Sequence, residues 1–314
     1  MATVESVTGP IELDGLGTTL IHEHLKVRSE PSGEQYPHLY DEDDAYRRAT
    51  EQARAVMEQG VKTIVDPSCL YLGRDIGFMR RVAEDTGLQV IAATGIYTYS
   101  ELPQVFKNRD EDFMADAFVH DIEEGIQGTD IKAAFLKCAV DEPGITDDVR
   151  KVLRACARAS KRTGRPIMAH SHPGTRRGLE IMDILDDEGV DPKFVQIAHT
   201  GDTDDLEYIG QLLGRGPYIG MDRYGLDMIL ETEKRNRTVL ALLEQGHAER
   251  MSLATDACWE FDWFSWDDVA QLAPNWKPTF VYEQVVPALR EGGMTDDQLE
   301  TMMVAVPRSW LAAT

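Results

Sequence analysis

A His-x-His pair near the amino terminus is the first candidate for chemistry in this sequence. His22 and His24 end the segment 18–25, which reads as a short apolar strand. In an extended chain, residues two positions apart point to the same face, so the two imidazoles lie side by side and Glu23 points the other way. Two such imidazoles form half of a site for a divalent metal. Because such pairs also occur by chance, the prediction depends on ligands elsewhere.

Further candidate ligands stand at the ends of later apolar segments: Lys137, His170, His199 and Asp256. Imidazoles and a carboxylate suit zinc or another divalent ion such as cobalt, iron or manganese, and the set is large enough for two ions. An ammonium beside two dications is disfavoured, so Lys137 should lose its proton and could take up CO₂ as a bridging carbamate. The alternative is a lysine that extends out of the rim.

The elements that must position these residues alternate between strands and helices. We predict strands at 18–25, 61–66, 88–95, 131–138, 166–170, 194–200, 217–223 and 250–257, with helices after them and two terminal helices near 279–291 and 295–305. The strands are almost continuously apolar, as in parallel sheets covered on both faces. Eight such units indicate an α/β fold, a (β/α)₈ TIM barrel forming one domain over 1–314. A doubly wound open sheet is the alternative, but no Gly-rich phosphate loop follows the first strand.

In a TIM barrel the reactive groups lie at the carboxyl ends of the strands. The candidate ligands all fall there, and Tyr97, Asp222 and Arg223 follow the third and seventh strands. The other four histidines fall in loops or on helices, where we expect solvated or locally bonded groups. The sequence therefore predicts one reactive rim.

Composition excludes several classes of partner. The formal net charge is −23, which disfavours nucleic acid and anionic membranes. The four cysteines form no C-x-x-C pair, as expected in a reducing compartment. We find no signal peptide and no apolar run near the ~18 residues of a membrane span. We therefore expect a cytoplasmic protein with a small-molecule substrate.

The rim residues also resemble the metal signature of a known family. The matching positions are His22-x-His24, Lys137 in FLKC, His170 in MAHSH, His199 in IAHTGD and Asp256 in ATDAC. In this order they are similar to the amidohydrolase superfamily, phosphotriesterase group, over about Gly9 to Arg308. The segments LGRDIGFMRRVAEDTGLQVIAATGIYTYSELP and GDTDDLEYIGQLLGRGPYIGMDRYGLD most resemble the phosphotriesterase-like lactonases.

The resemblance implies a binuclear metal centre and a homodimer. His22, His24 and Asp256 would hold the more buried ion, and His170 and His199 the more exposed one. A carboxylated Lys137 and a hydroxide would bridge the two ions. Three positions depart from the family pattern: Thr255 before the aspartate, Trp259 after Cys258, and Arg223 where true phosphotriesterases carry a histidine. These departures bear on substrate preference.

The implied activity is that of a hydrolase acting on ester bonds. We expect a quorum-quenching type of lactonase for acyl-homoserine lactones or related γ/δ-lactones, with promiscuous phosphotriesterase (paraoxonase) activity. Asp256 would accept the proton of the attacking hydroxide and return it to the leaving alkoxide, and Tyr97 would donate to the oxyanion. Asp202 and Arg223 would pair, either to relay this proton or as a plain salt bridge at the rim.

The pocket should be apolar and aromatic. Trp263 belongs to the aromatic segment WEFDWFSWDD after the last strand, where rings could wall a channel for an acyl chain, pack on the terminal helices or form a dimer interface. Cys258, Leu72 and Tyr99 complete the predicted pocket. A nucleophilic role for Cys258 is disfavoured because no histidine outside the metal set is placed to activate it.

Two alternatives remain open. An organophosphate or phosphorylated-lactone hydrolase would need cations over the site; Lys234, Arg235 and Arg237 could serve, although on a helix we expect them to be solvated. The second alternative is a non-enzymatic function, in which a catalytically silent barrel serves for binding or assembly. The complete ligand set argues against it.

Overall fold

A computed structural model describes residues 2–312. The strands are β1 (Thr3–Ser6), β2 (Gly9–Glu12), β3 (Thr19–Leu20), β4 (Thr63–Asp66), β5 (Gln89–Gly95), β6 (Phe135–Val140), β7 (Ile167–Ser171), β8 (Val195–Ala198), β9 (Tyr218–Met221) and β10 (Met251–Leu253). The α-helices are α1 (Glu30–Gln35), α2 (Glu42–Glu58), α3 (Ile76–Thr86), α4 (Gln104–Lys107), α5 (Glu111–Glu123), α6 (Asp147–Thr163), α7 (Arg177–Asp187), α8 (Leu206–Arg215), α9 (Thr232–Glu244), α10 (Trp266–Leu272), α11 (Val286–Glu291), α12 (Asp296–Glu300) and α13 (Val306–Leu311).

Strands β3 to β10 form one parallel sheet in which each strand pairs with the next along the chain. The seam between the first and last of these strands is joined beyond their ends. The Asp256 amide donates to the His22 carbonyl at 3.0 Å, and the Trp259 amide donates to the His24 carbonyl at 2.8 Å. The nearly closed barrel confirms the predicted TIM-barrel fold.

Alternation along the strands separates two hydrophobic layers. Phe135 and Met168 pack in a cluster inside the barrel, whereas their neighbours Leu136 and Ile167 pack between the strands and the surrounding helices. Both layers are buried, which explains why the strand sequences are apolar without a clear alternation. Trp310 of α13 packs edge-on against Phe135 and closes the amino-terminal end of the barrel.

Several details differ from the sequence prediction, including the fourth strand, which runs over Phe135–Val140 and not 131–138. The first strand is regular only at Thr19–Leu20. Residues 3–12 form an antiparallel hairpin of β1 and β2. The sequence does not predict it because both strands are short and partly polar. The aromatic segment after the last strand runs into α10, whose first turn is capped by the Ser265 hydroxyl. Each terminal helical region combines a π-helical turn with short α-helices.

The part of the chain from 2 to 312 contains no helix with the length and apolar character needed to span a membrane.

Candidate metal centre

The candidate ligands lie directly above the apolar floor of the barrel. Lys137 and His170 occur two residues after Phe135 and Met168, so the strand pleat directs all four side chains inward. Lys137 pairs in register with Gly95 on one side and with Met168 on the other. The sequence placed these two residues correctly because each lies on a regular strand.

His22 reaches the interior by a different route. Leu20 packs outside the barrel and Ile21 inside, so simple alternation would direct His22 outward. The strand ends at Leu20, the chain bends at Ile21 and His22, and the bend brings both imidazoles of the His-x-His pair inward. Their ring centroids lie 5.6 Å apart.

The ligand atoms of these residues converge on one point. Single ligand atoms of His22, His199 and Asp256 all lie within 4.8 Å of one another. Asp256 Oδ1 is 3.1 Å from His22 Nε2 and 3.2 Å from His24 Nε2. Lys137 Nζ is 3.3 Å from His22 Nε2, and the ring centroids of His170 and His199 are 4.5 Å apart. The structure thus brings all six predicted ligands together.

Asp222 orients two of the imidazoles at once. Its Oδ2 is 2.9 Å from His22 Nδ1, and its Oδ1 is 2.9 Å from His199 Nδ1. Oδ1 also accepts the backbone N–H of His199 at 2.8 Å. Because a carboxylate only accepts, both Nδ1 atoms carry protons and both Nε2 atoms present lone pairs to the cluster.

The two remaining histidines have their own partners. His170 Nε2 is 2.8 Å from Asp141 Oδ2, which leaves His170 Nδ1 for the cluster. His24 Nδ1 is 2.8 Å from the Ser68 hydroxyl. The hydrogen bond to His170 is the main cause that holds the pKa of Asp141 well below its usual range. Each imidazole is therefore held by one nitrogen and directs the other toward the cluster, as in a metal-binding histidine.

Burial shifts the protonation of the cluster toward its metal-binding forms. Desolvation lowers the pKa of His170 to about 4 and also lowers the pKa values of His22 and His199. Desolvation likewise lowers the pKa of the Lys137 ammonium. Burial raises the pKa of Asp256, but His22 and His199 outweigh it and bring that pKa well below the ordinary value.

These residues fit divalent metal ions. Neutral imidazoles and an ionised carboxylate are the forms that bind a metal, and they converge in a buried cluster with their outer atoms already bonded. His22, His24, Lys137, His170, His199 and Asp256 are the residues that would hold the ions. Within residues 2–312, this is the place where such ligands cluster.

A chain of ion pairs leads away from Asp256. Arg223 Nε donates to Asp256 Oδ2 at 2.9 Å, and Arg223 Nη1 donates to Asp202 Oδ2 at 3.1 Å. Asp202 Oδ1 then accepts from Arg235 Nη1 at 2.6 Å. The predicted pairing of Asp202 with Arg223 is present. The expectation that Arg235 is solvated is wrong, because its side chain is only 1% exposed.

Backbone strain is concentrated at the same place. His199, Arg223 and Asp256 have φ angles of 64°, 61° and 51°, in the left-handed region that non-glycine residues rarely adopt. Asp256 lies three residues beyond the end of β10, so the left-handed turn, and not the strand, directs its carboxylate. Such strain persists where surrounding contacts enforce it and is typical of functional sites.

Glu23 provides some of the contacts that hold the strained backbone at Asp256. Its carboxylate accepts hydrogen bonds from the Thr255 amide and hydroxyl, the Ala257 amide and the Trp259 indole. These donors flank Asp256 on both sides. Burial raises the pKa of Glu23 to about 8 even though the hydrogen bonds from Thr255 and Trp259 act in the opposite direction.

An apolar cavity of about 300 Å³ opens from the ligand cluster. Of the predicted pocket residues, Cys258, Trp263 and Leu72 line it. Tyr99 does not line it; it is 40% exposed and stacks edge-on behind Tyr97. The other lining residues are mostly apolar: Val27, Leu226, Met228, Ile229, Phe261, Phe264, Val269, Leu272, Ala273 and Trp276.

Tyr97 stands between the cluster and the cavity. Its hydroxyl is 3.4 Å from His170 Nδ1, and the residue lines the cavity. Burial raises the pKa of Tyr97, so the hydroxyl stays protonated as a hydrogen-bond donor. Burial also raises the pKa of Cys258, which keeps that thiol protonated and agrees with a lining role.

The sequence does not identify the residues that orient the candidate ligands through hydrogen bonds. The sequence places Asp222 on the rim but indicates no role for it, and it indicates none for Asp141, Ser68 or Glu23. Asp222 follows β9 on an inward position, two residues after Gly220, so strand parity could have indicated it. The partners of Asp141, Ser68 and Glu23 are 29 to 236 residues away in the chain, and no local pattern marks them.

Comparison with known proteins gives consistent results. Residues 2–311 match the model of the Phosphotriesterase family. The chain is 46% identical to an aryldialkylphosphatase of Saccharolobus solfataricus over 96% of this chain and 97% of that protein. It is 43% identical to a phosphotriesterase homology protein of Mycobacterium tuberculosis, with 98% and 97% covered. A solved structure of the phosphotriesterase from Mycobacterium tuberculosis matches with a TM-score of 0.97 at 42% identity, covering 99% of both chains.

Proposed function

The chain belongs to the phosphotriesterase family of metal-dependent hydrolases, and on that premise we propose that it is a lactonase for acyl-homoserine lactones or related γ/δ-lactones. The observation that carries the proposal is the cavity. A lactone ring at the ligand cluster would leave its acyl chain in a channel lined by Leu226, Ile229 and Phe264. Burying each methylene of that chain contributes about 0.8 kcal/mol.

Asp256 is the proposed general base. Its low pKa keeps the carboxylate ionised, and Arg223 holds its Oδ2. Water at the cluster attacks the lactone carbonyl carbon while an Asp256 oxygen accepts the water proton. The same oxygen returns this proton to the ring oxygen as the C–O bond breaks.

Tyr97 is the proposed donor to the carbonyl oxygen. Its protonated hydroxyl points into the site, where it can stabilise the negative charge that develops during attack. Divalent ions held by the six ligands would supply Lewis acidity and lower the pKa of water. A carboxylated Lys137 would supply an anionic ligand to these ions, and the neutral amine that burial favours is the form that takes up CO₂.

Organophosphate hydrolysis is the second proposed activity. The relative from Saccharolobus solfataricus is named an aryldialkylphosphatase and shares 46% identity over nearly the whole chain. A phosphorylated substrate is less well supported. The basic side chains that line the cavity are Lys137, whose neutral form burial favours, and Arg223, which is paired with Asp256. Arg235 is buried and does not line the cavity.

The first test compares lactone hydrolysis by the wild type, Asp256→Asn and Lys137→Ala. We measure kcat/KM for a long-chain acyl-homoserine lactone, a simple δ-lactone and a dialkyl aryl phosphate, with metal content determined in each preparation. Loss of general-base catalysis should lower lactone turnover by about 10²–10⁴-fold in Asp256→Asn. Lys137→Ala should lose both bound metal and turnover. Lys132→Ala is the matched control because Lys132 precedes β6, is partly exposed and does not line the cavity.

The outcomes separate the alternatives. If metal-loaded wild type hydrolyses only the phosphate ester, organophosphate hydrolysis replaces the lactonase activity as the proposed function. Metal-loaded protein that hydrolyses none of the three substrates would favour the silent barrel. A fully active Asp256→Asn protein would remove Asp256 from the proposed mechanism.

Homodimer formation and a cytoplasmic location are also proposals. Phe264 is 61% exposed and lies beside the half-exposed Trp263 at the cavity mouth. A second copy of the chain covering such rings would stabilise a dimer by removing apolar surface from water. All four cysteines are free thiols, which is compatible with a reducing compartment.

A further inference from the structure

We infer that Arg235 is a positioning residue that clamps both ends of the wall loop and thereby sets the preference for long acyl chains. The wall loop is defined as residues 222–231, between β9 and α9. It carries Arg223 and three residues of the cavity wall, Leu226, Met228 and Ile229. The chain-length part of the inference rests on the proposed lactonase function.

One guanidinium group reaches both ends of this loop. Arg235 Nη1 donates to the Asp222 carbonyl at 3.2 Å, where the loop begins. Arg235 Nε donates to the Leu230 carbonyl at 3.0 Å, where the loop ends. Nη1 also donates to the Gly201 carbonyl at 2.7 Å and to Asp202 Oδ1 at 2.6 Å, which ties the loop to the segment after β8.

The position of Arg235 is unfavourable unless these contacts compensate for it. The side chain is almost completely buried, so its charge is removed from water. It also lies near the amino terminus of α9, where the helix dipole disfavours a cation. Its Nη2 has no partner among the described residues. Helix formation does not require an arginine here, whereas a planar group with several donors is required to join separated carbonyls.

The clamp acts on the part of the cavity that an acyl chain would contact. Met228 and Ile229 are exposed at the outer end of the wall loop, so few packing contacts fix them. Asp227 holds the middle of the loop through Thr232 and Asn275. If the ends are released, the wall residues lose their fixed distance from the ligand cluster. A long acyl chain depends on that wall, and the lactone ring does not.

The test uses Arg235→Lys in the metal-loaded full-length protein. A lysine keeps a positive charge for Asp202 but cannot donate in plane to two separated carbonyls. We expect faster amide hydrogen exchange confined to 222–231. We also expect KM to rise about tenfold for a long-chain acyl-homoserine lactone and to change less than about twofold for a short-chain one, with kcat for the short-chain lactone retained. Arg237→Lys, an exposed arginine on the same helix, is the matched control and should behave as the wild type.

Each result decides the inference. Unchanged exchange over 222–231 in folded Arg235→Lys overturns the clamp. Faster exchange with an equal rise of KM for both lactones overturns the chain-length preference. If Arg235→Lys does not fold, Asp202→Asn weakens the same anchor and should also speed exchange of the loop; unchanged exchange there overturns the clamp. If the wild type hydrolyses no lactone, the proposed function fails, while the exchange measurement still decides the clamp.

Discussion

Asp222 shows how much of the site depends on single residues outside the ligand set. Each of its oxygens accepts from a different imidazole, one on His22 and one on His199. It is completely buried. A single carboxylate therefore sets the tautomer and orientation of two candidate ligands that come from distant parts of the chain.

We predict that Asp222→Asn weakens metal binding by about 10–100-fold, because an amide presents one oxygen and one NH₂ group to two N–H donors. The measurement is metal content after dialysis against a series of chelator concentrations. Asp204→Asn, an exposed aspartate on the loop after β8, is the control and should keep the wild-type affinity. Equal affinities in both variants would show that Asp222 does not orient the ligands.

At the scale of secondary-structure elements, the close pairing of β5 with β6 determines the position of Lys137. Gly95 ends β5 with φ at 137°, and a Cβ atom built there would lie 1.9 Å from the Lys137 carbonyl oxygen. The two strands can approach in register only because residue 95 has no side chain. The same close approach fixes the backbone that directs the Lys137 amine into the barrel.

Gly95→Ala should therefore destabilise the protein by about 3 kcal/mol through backbone strain and collision with β6. Urea unfolding measures this effect, and lactone turnover should fall with it because Lys137 is displaced. The control is Gly210→Ala on the exposed face of α8, where a Cβ meets no atom within 4 Å. That change should be neutral or stabilise the protein by up to about 1 kcal/mol. A Gly95→Ala protein as stable as the control would refute this account of the strand junction.

The seam between β3 and β10 is the second feature at this scale. Glu23 accepts from the residues on both sides of Asp256, and backbone hydrogen bonds from Asp256 and Trp259 complete the junction. The residue between the two histidines of the His-x-His pair thus holds the last strand in place. The same hydrogen bonds therefore close the barrel and position Asp256, the proposed base.

At the scale of the whole molecule, charge dominates. The chain carries 55 acidic and 32 basic residues, giving a net charge of −23. Many ion pairs on the surface involve exposed side chains, as for Arg47 with Glu51 and Arg290 with Asp296. Exposed pairs contribute little, so the net repulsion of the acidic surface should outweigh them.

We predict that raising NaCl from about 0.05 M to about 0.5 M increases Tm by about 2 °C or more, because salt screens this repulsion. The measurement is thermal unfolding followed by circular dichroism in metal-loaded protein. KCl at the same concentrations is the control, since screening depends on ionic strength and not on the identity of the monovalent cation. A Tm that falls with either salt would mean that ion pairs, and not repulsion, control stability.

The sequence by itself determined the barrel and predicted the candidate ligands at its rim. Both follow from local patterns: buried parallel strands are short apolar runs, and their carboxyl ends meet on one rim, so Lys137 and His170 could be placed from strand position alone. Family resemblance added the expected assignment of these ligands to a more buried and a more exposed ion.

Only the tertiary structure decided the details that depend on closure of the barrel. The bend at Ile21 and His22 reverses the direction that strand alternation predicts for the first imidazole pair. The sequence likewise does not predict that Arg235 is buried or that Tyr99 lies outside the cavity. Each of these depends on contacts between segments that are far apart in the chain, and a residue's sequence neighbours carry no information about such contacts.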